Sequence, residues 1–146
     1  IGTIDQKMKD SWADAEIAAD NQDFSSIYCK YSQNIYSYIL HAAIAVKRNQ
    51  KWRAVGEINL LRDKAIELLG CHYKIETKRY RQVDHLPDSI KSRLDNTLCD
   101  YTNSKSMYES IYHLIDIIYD ELDLHFNGQY AVSRHAMKDY VKELAQ

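Results

Sequence analysis

The run from Trp52 to Leu69 (WRAVGEINLLRDKAIELL) repeats apolar side chains at steps of three and four, and that spacing restricts it to a helix with one buried face. At about 100° per residue, Ala54, Val55, Ile58, Leu61, Ala65, Ile66, Leu68 and Leu69 fill one continuous arc. Arg62 projects into that arc, between Leu69 and Val55. A guanidinium keeps its proton and is costly to bury alone, so a carboxylate or a bound anion is expected to meet it. Asp84 is the first candidate for a structural ion pair with Arg62, followed by Asp116 and Glu57. Two roles stay open: a structural ion pair or snorkelling side chain, and an arginine holding the wall of a ligand cleft.

The same period recurs along most of the chain. Asp23 is a good N-cap for a first helix to about Arg48, with Phe24, Ile27, Tyr28, Tyr31, Ile35, Tyr38, Ile39, Ala42 and Val46 on its stripe. Asn49-Gln50-Lys51 turns the chain into the second helix, which is expected to end at Gly70 as its C′ residue. Residues 71–86 show neither helical nor strand periodicity, and a loop of that length in a compact domain is uncommon unless it has a function. Pro87 opens a short helix carrying Ile90, Leu94 and Leu98. Ser104 or Ser106 caps the next one, which runs to about Asp123. Ser133–Leu144 forms the last. With only 4 glycines and 1 proline, the chain is predicted to be all-α, an antiparallel bundle of four to five helices. Residues 23–146 form that bundle, and residues 1–22 are a lead-in whose start, Ile1 to Asp5, reads as a strand end.

Composition narrows the function. A formal net charge of −2 gives no electrostatic footprint for a nucleic-acid binder, so no nucleic-acid partner is expected. No apolar run of membrane-spanning length or signal peptide appears, so no membrane partner is expected either. Cys29, Cys71 and Cys99 are widely spaced and odd in number, which fits reduced thiols in a cytoplasmic protein.

The helix from Ser106 carries Glu109, His113, Asp116 and Asp120 in a stripe opposite its core face. The stripe reads as a solvated face, or as an acidic wall for a cationic ligand. A bundle-core metal site needs such ligands facing inward, and no metal site is expected. Arg79 and His85 match the short R-x(4–6)-H spacing of HEPN ribonucleases but fall in the irregular stretch. Lys74, Lys78, Arg79 and Arg81 make a small basic cluster suited to phosphates. No phosphate-cradling Gly-rich loop, Gly-Ser pair or Asp-x-Asp occurs, and Glu121-x-Asp123 is the nearest pattern. No catalytic residues are expected in this chain.

Several stretches together resemble a known family. They are Tyr38 to Arg48 (YILHAAIAVKR), Trp52 to Leu69 with its Leu61-Arg62, His85-Leu86-Pro87, Leu94 to Thr97, Tyr101 to Leu122 and Tyr140 to Leu144. This distributed pattern is similar to the C-terminal helical domain of antibiotic nucleotidyltransferases, chiefly the aminoglycoside (streptomycin-type) adenylyltransferases, and covers about residues 24–146. One departure is Lys47-Arg48-Asn49-Gln50, where relatives usually carry an Arg-Gly-Glu type of turn. The resemblance implies a substrate-binding half of a protein that transfers a nucleoside monophosphate to a small-molecule hydroxyl. ATP and Mg²⁺ would then come only with a separate N-terminal nucleotidyltransferase domain, of which Ile1 to Asp5 would be the end. The implied partners are that domain and a small, cationic, aminoglycoside-like molecule, with a homo-oligomer also open. Tyr38, His41, Glu109, His113 and Asp116 are expected to line one open substrate-binding groove. An HEPN-like ribonuclease or toxin–antitoxin partner module is the alternative.

Overall fold

The computed structural model describes residues 24–146, and the expectations for residues 1–22 and for Asp23 as an N-cap lie outside it. Among the described residues there are five α-helices and no strand: α1 (Phe24–Lys47), α2 (Lys51–Tyr73), α3 (Asp88–Asp95), α4 (Ser104–Phe126) and α5 (Ala131–Leu144). Two 3₁₀ turns, Lys78–Tyr80 and Val83–His85, lie between α2 and α3. The protein is an all-α helical bundle. No helix among the described residues is long and apolar enough to cross a membrane.

Each long helix ends where a left-handed residue stops it. Asn49 has φ 57°, Lys74 φ 55° and Asn127 φ 55°. Asn49 thus takes over the conformation for which a turn would ordinarily use glycine, since asparagine tolerates it better than most residues. Asn103, rather than Ser104 or Ser106, caps α4: its side chain accepts from the Ser106 N–H at 3.3 Å, while Ser106 Oγ accepts from the Asp100 N–H at 2.9 Å. The Ser106 hydroxyl is used backwards, to hold the turn before the helix.

Gly70 does not end α2. The helix continues to Tyr73, and Gly70 is buried within it because Thr77 folds back onto its bare Cα. A Cβ at Gly70 would overlap Thr77 Cγ2. The glycine is there for close approach of the returning chain. Leu98, expected on the α3 stripe, is 68% exposed beyond the end of that helix, and its neighbour Thr97 is fully buried instead.

Pairings along the bundle fix its direction. Tyr28 and Tyr31 of α1 bond to Leu68 O and to Glu67 of α2, so this pair is antiparallel. Asp116 and Asp123 of α4 meet Lys138 and Arg134 of α5, also antiparallel. In contrast α2 and α4 run parallel: Arg62 meets the residues leading into α4, and ten residues further on His72 meets Glu121. Residues 74–103 must therefore return along the full length of α2, about 34 Å at 1.5 Å per residue. Through this crossover the bundle joins the antiparallel pairs α1–α2 and α4–α5 by one parallel pair, α2–α4.

Arg62 holds the end of that crossover. Its Nε donates to Thr97 Oγ1 (2.9 Å) and its Nη2 to Thr97 O (2.6 Å). Nη1 donates to Asn59 Oδ1 (2.6 Å) and to the Tyr101 hydroxyl (3.3 Å). The expected Arg62–Asp84 ion pair is absent, and Asp84 is exposed near Asp88 and Asp95 on a separate shallow depression. Neutral oxygens suffice because Arg62 is only partly buried and its charge is spread over a plane that four acceptors can meet.

Replacing Arg62 by Ala is expected to lower stability by about 2 kcal/mol, the value of losing hydrogen bonds to a charged group, read as a lower urea midpoint. Lysine should not rescue it. Gly70→Ala should destabilise by about 1–3 kcal/mol despite alanine's better helix propensity. Adding Thr77→Ser should recover most of that loss, and a neutral Gly70→Ala would show that the close approach is not needed.

Candidate functional site

The bundle end that carries the start of α1 and the C-terminal turns of α2 and α4 concentrates the polar groups facing the core. Glu121 lies on the inner face of α4 and is 4% exposed. Its Oε2 accepts from His72 Nδ1 at 2.8 Å. In the neutral tautomer with Nδ1 as donor, Nε2 would be left as the acceptor of the imidazole. The ring stacks on Tyr73, centroids 4.2 Å apart. Burial holds the Glu121 carboxyl above its usual range, and the adjacent His72 opposes this only in part. Tyr28 packs from α1, stacked on His125 at 4.3 Å, with its hydroxyl donating to Leu68 O at 3.2 Å. Burial first and Glu121 second push its phenol up. Cys71, next to the dyad in sequence, has its thiol pushed up to about 11 by burial, Glu67 and Glu121, so it is a poor nucleophile at neutral pH.

His72, Tyr73 and Glu121 open onto a shallow cleft of about 480 Å³ between α2, α3 and α4. Ile90, Arg93, Asp120, Asp123, Leu124 and Gly128 complete it. Arg93 of α3 reaches Asp120 at 2.6 Å across its edge, and Arg134 of α5 reaches Asp120 at 2.7 Å and Asp123 at 2.8 Å. A buried carboxylate, an oriented imidazole and an aromatic wall can hold a hydroxyl-bearing ligand and accept its proton. Among the described residues no three His, Cys, Asp or Glu side chains are grouped to hold a metal ion.

No hydrogen bond or ion pair joins any two of the five residues expected to share a groove. Tyr38 is half-buried on α1 beneath Lys64 of α2, whose ammonium lies 5.7 Å from its ring. His41 is exposed on the same helix. Glu109 and His113 are exposed on the side of α4 opposite the buried Ile111, Leu114 and Ile118, whereas α1 packs on the buried side. Asp116 is engaged by Lys138 at 2.8 Å and by Arg134 at 3.8 Å. The lower half of the acidic stripe is the seat of α5, with cations supplied by the protein itself. Arg79 and His85 are exposed on the two separate 3₁₀ turns, with no contact between them.

Sequence reasoning missed His72 and Glu121. Glu121 follows Ile118 by three and Leu114 by seven, so it interrupts an apolar stripe as Arg62 does. His72 follows Leu68 by four, but it lies beyond Gly70, where the sequence predicts the helix to end.

The raised Glu121 and Glu67 carboxyls make a linkage prediction. Such a group holds its proton more tightly folded than unfolded, so its contribution is complete below the ordinary value of 4.5 and is lost as pH rises through the raised one. Glu121→Gln should flatten the fall in stability above pH 4.5, measured by urea unfolding across a pH series. An unchanged slope would show that Glu121 does not titrate in this window.

No family model, no curated protein and no solved structure matches the chain.

Proposed function

We propose that the chain is the helical, substrate-binding half of a nucleotidyltransferase-like protein, and that it presents a small hydroxylated, cationic molecule for transfer of a nucleoside monophosphate. The observation that carries this reading is the His72–Glu121 cleft, with its free imidazole nitrogen, its neighbouring Asp120 and Asp123 and its aromatic wall. The resemblance of the helical stretches to the adenylyltransferase domain supplies the reaction class. The cleft opens at the bundle end where α1 begins, since Tyr28 stacks there on His125. A nucleotide-binding domain joined ahead of α1 would meet the ligand there. ATP and Mg²⁺ would be held by that domain, and His72 would receive the acceptor hydroxyl. The acidic residues favour a cation through the summed local field more than through any free carboxylate, because Asp120 and Asp123 already have arginine partners.

Titration with streptomycin or kanamycin should shift the amide and ring NMR signals of His72, Tyr73 and Leu124, with affinity falling as salt is added. His72→Ala should remove the shifts at Tyr73 and Leu124 without unfolding the bundle, because the ring is partly exposed. With ATP and Mg²⁺ added, the isolated chain should form no adenylylated product. Turnover by the pure chain, or titrations that leave these signals unmoved, would sink the reading.

A further inference from the structure

Residues 74–82 combine strain, rigidity and unpaired charge in one short loop outside the cleft. The backbone is left-handed at Lys74, Arg79, Tyr80 and Gln82, none of them glycine. Each such residue is held in an unfavourable conformation, and clusters of these persist only where the surroundings fix them. Here they are fixed. Thr77 sits over Gly70. The Glu76 N–H donates to Gln82 Oε1 and the Lys78 N–H to Glu76 Oε1, both at 2.8 Å. The Tyr80 hydroxyl donates to Asp63 Oδ1 at 2.6 Å.

What this scaffold displays is positive. Lys74, Lys78, Arg79 and Arg81 are all exposed, and among the described residues none of the four forms an ion pair. By contrast, Arg93, Arg134 and Lys138 elsewhere are each matched to aspartates. Between the two arginines, Tyr80 is 58% exposed, and its hydroxyl tether holds the ring without covering it. An exposed ring with an unpaired arginine before and after it in the chain offers what proteins use to bind such a ligand: a face on which to stack a base and cations for the neighbouring phosphates. A duplex hides its base faces, so the ring can be used only by an unpaired strand. The net charge of −2 over the whole chain disfavours a strand elsewhere and confines it to this loop.

We propose that the 74–82 loop is a binding surface for single-stranded nucleic acid, with one base stacked on Tyr80 and the neighbouring phosphates on Arg79, Arg81, Lys74 and Lys78. The surface is independent of the His72–Glu121 cleft and of the reaction assigned to it.

The test is fluorescence anisotropy of a short labelled single-stranded RNA against the full chain at low salt. Binding is expected, with log affinity falling against log salt at a slope of about −3 if four phosphates are neutralised. The double change Arg79→Gln with Arg81→Gln should weaken it about tenfold or more and halve that slope. Tyr80→Ala should weaken it about tenfold while leaving the slope unchanged. Lys105→Gln, an exposed cation on α4, should change nothing. Circular dichroism on each variant separates lost binding from lost fold. Failure of the folded wild-type chain to bind would overturn the proposal. Equal affinity for duplex RNA, or full affinity in Tyr80→Ala, would overturn it equally, because either result would leave only non-specific attraction.

Discussion

The contact between Arg62 and Thr97 is where the fold closes, because two parallel neighbouring helices cannot be joined by a short turn. The chain leaves α2 at Tyr73 and must begin α4 beside the other end of α2. The return segment packs Leu86 and Leu94 into the core, with Ile75, Val83 and Ile90 against it, while Leu98 stays exposed. Polar contacts add fixed points to this packing. Thr97 O accepts from both Arg62 Nη2 (2.6 Å) and Ser110 Oγ (2.5 Å), which ties the segment to α2 and α4 at once. Thr97 Oγ1 donates to Leu94 O at 2.7 Å, closing the end of α3. At the other end Thr77 occupies the notch at Gly70, and between them Arg93 reaches Asp120. Once these points are set, the ends of α2 and α4 lie together, and His72 comes within reach of Glu121.

The tyrosines follow the same logic of one apolar body and one polar tip. Tyr28, Tyr31 and Tyr108 are buried, and their hydroxyls reach Leu68 O, Glu67 and Leu144 O on other helices. Tyr101 donates to Asn59 Oδ1 at 2.8 Å and Tyr80 to Asp63. They act as stitches between elements; the rings of Tyr28, Tyr31 and Tyr108 also fill the core, while that of Tyr80 stays exposed. The sequence places Tyr28 and Tyr31 on an apolar stripe and Tyr38 in an expected groove. Periodicity places a tyrosine on a stripe, but it cannot say whether its tip meets solvent or a neighbouring helix.

The acidic stripe of α4 shows the same limit. Its position on the helix was legible, since Glu109, His113, Asp116 and Asp120 share one face by spacing alone. Its use was not. Glu109 and His113 remain exposed, whereas Asp116 and Asp120 are matched by Arg134, Lys138 and Arg93 from two other elements. Those cations come from as far as Arg93 on one side and Lys138 on the other, separations over which sequence spacing carries no distance information.

The sequence by itself determined that the chain is helical, and which faces are inside. Steps of three and four with few glycines leave a bundle as the way to bury Ile35, Ile39, Ile58, Leu61, Ile111, Leu114 and Ile118. It also marked Arg62 as a polar group requiring partners, because a charge on an apolar stripe is expensive to leave bare. Tertiary structure alone decided who those partners are and which helices run parallel. It also decided which polar groups collect at the end where α1 begins. Local spacing fixes the direction of a side chain from its own helix axis. The groups it meets depend on how residues 74–103 travel, and that path is set by core packing and hydrogen bonds between residues remote in sequence.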